Sequence, residues 1–149
     1  MIRSKANFRA ARESAGITQA ALASALGVQV RSVKRWESPE APQRPPADAW
    51  RILQEAYDAQ WEAVEAAVAK AEQIRAERGE PAAVRIRYWP DAESYLEGST
   101  DSALGVAGDW RMANANARAA ALALRGRGFA VEFVDGSDPG ACAFAGSLV

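Results

Sequence analysis

At 149 residues, 49 % apolar and 25 % charged, the chain has the size and composition of one or two small globular domains, which excludes a large multi-domain enzyme. It holds no histidine and a single cysteine, Cys142, so a His-based zinc site, a Ser-His-Asp triad and an internal disulfide are all ruled out. Its net charge of -1 divides unevenly: residues 1 to 50 carry eight Arg or Lys against four Asp or Glu, residues 51 to 149 ten against fifteen, as suits a part that meets a polyanion joined to one that does not.

Thirty-five alanines push the chain toward helix, and periodicity has to assign the buried faces. Ser4 to Ala15 reads as a first helix with Phe8 and Ala11 inward, stopped by Gly16 in the left-handed cap conformation. Thr18 caps a second helix, Gln19 to Leu26, with Leu22, Ala23 and Leu26 on one face. Gly27 turns the chain into a third helix, Gln29 to Glu37, whose inner side is Val33 and Trp36; Val28 and Val33 are expected to lock it against the second. Pro39, Pro42, Pro45 and Pro46 then impose a linker.

From Ala47 to Arg78 nothing breaks the helical pattern, and at ~1.5 Å per residue this long helix extends roughly 45 Å. Its apolar stripe is Trp50, Leu53, Tyr57, Trp61, Val64, Val68 and Ala71, with Trp50 expected to clamp it to the preceding helices. A small first domain covers only part of that stripe. Tyr57, Trp61, Val64 and Val68 are therefore expected at a dimer interface, with packing inside the chain as the alternative.

Gly79 and Pro81 end the long helix, and Ala83 to Trp89 alternates as a strand with one wet face. Asp91 to Glu97 reads as a short helix anchored by Tyr95 and Leu96. Asp109 can cap a helix from Trp110 to Arg125 with Trp110, Ala113, Ala117, Ala121 and Leu124 inward, and Phe129 to Val134 is a second strand. The run from Asp135 to Val149 lacks periodicity and reads as a mobile tail. The fold class is thus mainly α with a small α+β C-terminal part: an N-terminal helix-turn-helix bundle, a long connecting helix and a two-stranded β-α-α-β unit. The expected domains are 1-78, 79-134 and the tail 135-149.

No paired acid and base stand out among the scattered carboxylates, Asp91, Glu93 and Asp109 included, so no catalytic residue, cofactor or metal is expected and the chain reads as non-enzymatic. No apolar run is long enough to span a membrane and the start lacks the apolar core of a signal peptide, from which a cytoplasmic protein without a membrane partner is expected.

The informative signal lies in the first third. Two short helices separated by Gly27 form a helix-turn-helix pattern, and with Val33 and Trp36 inward the third helix is left with Gln29, Val30, Arg31, Lys34 and Arg35 on a face able to enter a major groove about 12 Å wide. Arg31 and Arg35 can each donate two hydrogen bonds to guanine, Val30 can cover a thymine methyl, and Lys34 suits a phosphate because its ammonium is a flexible point charge. Arg3, Lys5, Arg9 and Arg44 are candidates for further phosphate contacts, or are ordinary surface charges.

The run Ile17-Thr18-Gln19-Ala20-Ala21-Leu22-Ala23-Ser24-Ala25-Leu26-Gly27-Val28, followed by Val33 and Arg35-Trp36-Glu37, resembles the Cro and phage-repressor type helix-turn-helix of the xenobiotic-response-element regulators. The resemblance covers about Ser4 to Leu53. It implies a phosphate contact for Gln19, base contacts for Gln29, Val30, Arg31 and Arg35, and an internal structural ion pair between Arg12 and Glu37. Val30 departs from that family, where polar residues are common at its position.

More loosely, the later segments Val84-Arg85-Ile86-Arg87-Tyr88-Trp89, Asp91 to Leu96 and Asp109-Trp110-Arg111-Met112 resemble a family of small regulators that includes YdiL-like proteins and anti-CRISPR-associated repressors. That resemblance implies a C-terminal dimerisation domain and repression of a promoter, often the protein's own. The expected partners are double-stranded DNA and a second copy of the chain. Two rivals stand beside this: an antitoxin-like DNA-binding protein whose C-terminal half binds a separate protein partner, and an interaction protein whose helix-turn-helix no longer reads DNA.

Overall fold

The computed structural model describes residues 1–98 and 109–136. The chain divides into two compact units, Met1–Asp58 and Ala59–Val149.

The first unit holds α1 (Lys5–Ser14), α2 (Gln19–Leu26), α3 (Val30–Glu37) and the start of α4 (Ala47–Arg78). Several helix ends have a local cause. Ser4 opens α1 by accepting the Asn7 N–H at 3.1 Å, and Thr18 opens α2 by accepting the Ala21 N–H at 3.0 Å. Gly27, at φ 64°, closes α2 with its own N–H on the Ser24 carbonyl and the Val28 N–H on the Ala23 carbonyl, a Schellman turn in which any side chain at position 27 would be strained. Gln29 is extended and is the N-cap of α3 rather than its first helical residue, and its side chain makes no capping bond.

These helices enclose Phe8, Leu22, Val33 and Leu53 completely, and Trp36 and Trp50 stand edge-on to Phe8 at 6.3 and 5.1 Å between ring centroids. Such ring pairs contribute ~0.5–1.5 kcal/mol beyond the area they bury. Trp50 thereby ties the first turns of α4 to α1. One expectation is corrected. Ala11 is only half-buried, and its neighbour Arg12 occupies the inner position instead. Val28 is 38 % exposed and Val33 fully buried, so Val33 is the more enclosed of the two residues expected to lock α3 against α2.

The second unit contains the remainder of α4, then β1 (Val84–Tyr88), α5 (Ala92–Gly98), α6 (Trp110–Gly126) and β2 (Val131–Asp135). The strands pair in parallel, with Val84 opposite Val131 and Tyr88 opposite Asp135. Parallel strands need a long crossover, which the segment carrying α5 and α6 supplies. One core joins Ala71 of α4, Val84 and Ile86 of β1, Ala117, Ala121 and Leu124 of α6, and Phe129, with Val68 packed against it. A second joins Val64 and Ala67 to Ala120. The alanines of α6 let another helix approach closely, which is why the C-terminal half of α4 belongs with this unit.

Leu96, expected as an anchor, is 77 % exposed, whereas Tyr95 is buried edge-on to Trp89 at 5.4 Å. Adjacent helical residues point about 100° apart, so a helix this short buries one of them. On α6, Trp110 and Ala113 are half-buried, and two asparagines are drawn inward. Asn114 accepts the Trp89 N–H and donates to the Trp89 carbonyl, both at 2.8 Å, so a side-chain amide satisfies the backbone just beyond β1. Asn116 accepts from Gln60 at 3.1 Å. Phe129 lies in the core ahead of β2, which begins at Val131 and includes Asp135. Gly136 sits so near Trp89 that an added Cβ would fall 2.2 Å from its ring, so Asp135 and Gly136 are part of the folded unit. The rest of the expected tail, 137–149, lies outside the described residues. Among the described residues no helix is long and apolar enough to cross a membrane.

Candidate nucleic-acid interface

The eight residues of α3 divide sharply by side. Val33 and Trp36 face the core, whereas Val30, Arg31, Lys34 and Arg35, together with the N-cap Gln29, are exposed. The side chains of Arg31, Lys34 and Arg35 make no hydrogen bond or ion pair among the described residues. Three cations on one helical face thus keep their full donor capacity for a ligand. Val30, 38 % exposed, adds an apolar contact beside them. The missing cap at Gln29 leaves its amide able to reach outward as well.

Behind this face lies a buried polar network. Arg12, 7 % exposed, donates from Nε to Oε1 of Glu37, from Nη2 to Oε2 of Glu37 at 3.1 Å and from Nη1 to the Ile17 carbonyl at 2.7 Å. The Glu37 side chain is 5 % exposed and also accepts from Nε2 of Gln19 at 2.7 Å. A fork-to-fork guanidinium and carboxylate, each with further partners, holds the end of α1, the start of α2 and the end of α3 in one arrangement. Gln19 commits one amide N–H to Glu37 and retains the second. Its position at the start of α2 is therefore fixed from within, a link to Glu37 that nothing in the residue pattern signals.

The remaining candidates are placed less centrally. Arg9 is exposed and pairs with Glu13 at 2.8 Å, one helical turn on. That hydrogen bond holds the Glu13 carboxyl below the usual carboxylate range and raises Arg9 correspondingly. A phosphate at Arg9 would have to compete with this partner. Arg44 is exposed in the linker between α3 and α4. Lys5 is half-buried, and its ammonium donates to the carbonyls of Arg35 at 3.2 Å, of Ser38 at 2.7 Å and of Ala41. On α4, Tyr57 and Trp61 are 49 % and 54 % exposed, whereas Val64 is buried and Val68 half-buried in the second unit.

Residues 6–68 match a family described as a helix-turn-helix domain. The first three helices carry a helix-turn-helix. The match spans α1 to α3 and continues into α4, and it supports a DNA-binding regulator. No curated protein and no solved structure matches the chain.

Proposed function

We propose that this helix-turn-helix protein is a sequence-specific transcriptional regulator that binds double-stranded DNA through α3, acts as a homodimer on a palindromic operator, and represses the promoter it covers. The observation that carries the reading is the outer face of α3, where Arg31, Lys34 and Arg35 are exposed and unengaged among the described residues while Val33 and Trp36 anchor the inner side. Arg31 and Arg35 have the fork geometry for guanine O6 and N7, Val30 suits a thymine methyl, and Gln29 is free to contribute a polar contact. Lys34 and the second amide N–H of Gln19 suit phosphates, with Arg9 and Arg44 as flanking contributors.

One helix reads only a few base pairs, which is too little discrimination above the non-specific phosphate background. Two copies related by a two-fold axis double the number of read bases and require half-sites one turn, about 34–36 Å, or a multiple apart. Tyr57 and Trp61 are exposed aromatics of a kind enriched at protein interfaces, and they are the large apolar residues that α4 leaves exposed for a second copy. Val64 and Val68 serve such an interface from behind, by holding α4 on its own unit. Repression then needs no chemistry, because an occupied promoter excludes polymerase.

Selection from random duplex DNA tests this reading. The expected product is a palindrome whose half-sites are separated by one helical turn or a multiple. Recovery of duplexes with no common sequence contradicts it.

A further inference from the structure

We propose that Lys5 is a positioning residue for DNA reading: its ammonium caps the C-terminal end of α3 and thereby sets the angle at which the recognition face is presented. The inference rests on the DNA-binding reading of α3 but concerns a residue that touches no DNA. Lys5 is the first residue of α1, 30 to 36 positions before the groups it binds. Its ammonium has three N–H donors and no acceptor. All three are matched, to the carbonyls of Arg35, Ser38 and Ala41. No donor is left for a phosphate, so Lys5 is unlike the exposed cations of α3 despite lying in the same basic first third.

The place of contact gives the bond its effect. The last carbonyls of a helix lack intrahelical partners and carry the negative end of the helix dipole, so a cation there is favoured. Here α3 has no glycine cap. Ser38, its C-cap, is extended at ψ 124°, and the Pro-rich linker leaves at once. The usual left-handed closure is absent, and Lys5 supplies the closure from another helix. One of its three acceptors is the backbone of Arg35, a residue of the reading face, and the other two are in the exit path from α3. Arg12 and Glu37 hold the same helix from the other end of α1, two turns on along the same face. With two cations of α1 gripping its last turn, α3 has little freedom to rock about the Val33 and Trp36 contact.

The test compares wild type, Lys5→Met and Lys5→Arg in the full-length chain. Met keeps an apolar stem and removes every donor, and Arg keeps a donating cation. Three quantities are read: affinity for the duplex selected by wild type, affinity for a duplex of scrambled sequence, and the salt dependence of each. Amide exchange at Ser38 and Ala41 is measured without DNA. Lys5→Met is expected to lose about tenfold or more on the selected duplex and less than about twofold on the scrambled one, with the salt slope unchanged. Exchange at Ser38 and Ala41 should quicken, and Lys5→Arg should restore most of the selectivity.

An equal loss on both duplexes with the salt slope reduced by about one would make Lys5 a phosphate contact and overturn the proposal. Unchanged selectivity in a folded Lys5→Met protein would overturn it too. If Lys5→Met does not fold, retention of full selectivity by Lys5→Arg supports the cap and a loss equal on both duplexes overturns it. Absence of any selectivity in wild type removes the DNA reading and the positioning role together, whereas unchanged exchange at Ser38 and Ala41 removes the cap alone.

Discussion

Arg12 and Glu37 illustrate how a charge becomes structural. Both are almost fully enclosed, so neither can be removed without leaving the other desolvated and short of partners. Arg12→Ala should lower unfolding stability by ~3–5 kcal/mol, the usual effect of breaking one side of a buried pair, as read from the urea midpoint. A loss under ~1 kcal/mol would mean that water reaches Glu37 freely. Asn114 makes a comparable case in the second unit, because its amide alone serves both backbone groups of Trp89. Asn114→Ala should destabilise by ~1–3 kcal/mol for the groups left unpaired, also by urea unfolding. The residue pattern indicated neither interaction from geometry. The pairing of Arg12 with Glu37 was implied by family resemblance, and Asn114 sits among alanines in a stretch where nothing marks a buried amide. Lys5 was equally opaque, since its acceptors are backbone carbonyls that any residue possesses.

At the level of elements, periodicity and punctuation were informative and inward-facing assignments less so. Thr18, Gly16, Gly27, Gly79 and Asp109 mark helix ends because capping and left-handed turns are local chemistry. Leu96 is misplaced because hydrophobicity alone does not say which of two neighbouring apolar residues a short element can bury. The parallel pairing of β1 with β2 depends on a crossover that strand patterns do not encode. The short helix α5 offers a pH test. Asp91 accepts the Ser94 N–H at 2.8 Å, and that bond holds its carboxyl below the ordinary carboxylate range. A depressed folded value means that the contribution to stability is complete above the unfolded value, near 3.9, and is lost as pH falls through the lower folded one. The Ser94 amide resonance should therefore shift with an acidic midpoint below ~3.9. Asp91→Asn should abolish that shift; a midpoint at or above the ordinary value would contradict the capping role.

For the whole molecule, the asymmetric charge and the helix-turn-helix were visible in the sequence, whereas the assembly was not. Tyr57 and Trp61 remain exposed on α4, but Val64 and Val68 are taken up within the second unit, so the apolar stripe is not one continuous uncovered seam. Replacing Tyr57 and Trp61 together by Glu should convert a dimeric solution mass to a monomeric one while leaving the helical signal intact. A wild-type chain that sediments as a monomer, or a double variant that keeps the dimer mass, would remove α4 from the interface.

Reading by α3 is tested most directly by titrating wild type and Arg31→Ala against the selected duplex and a set of duplexes altered one symmetric base pair at a time. Wild type should discriminate at each contacted pair, and Arg31→Ala should lose ~1–3 kcal/mol of preference at one pair in each half-site while retaining the others. An Arg31→Ala protein with the full wild-type pattern of preferences would contradict the assignment of base reading to the outer face of α3.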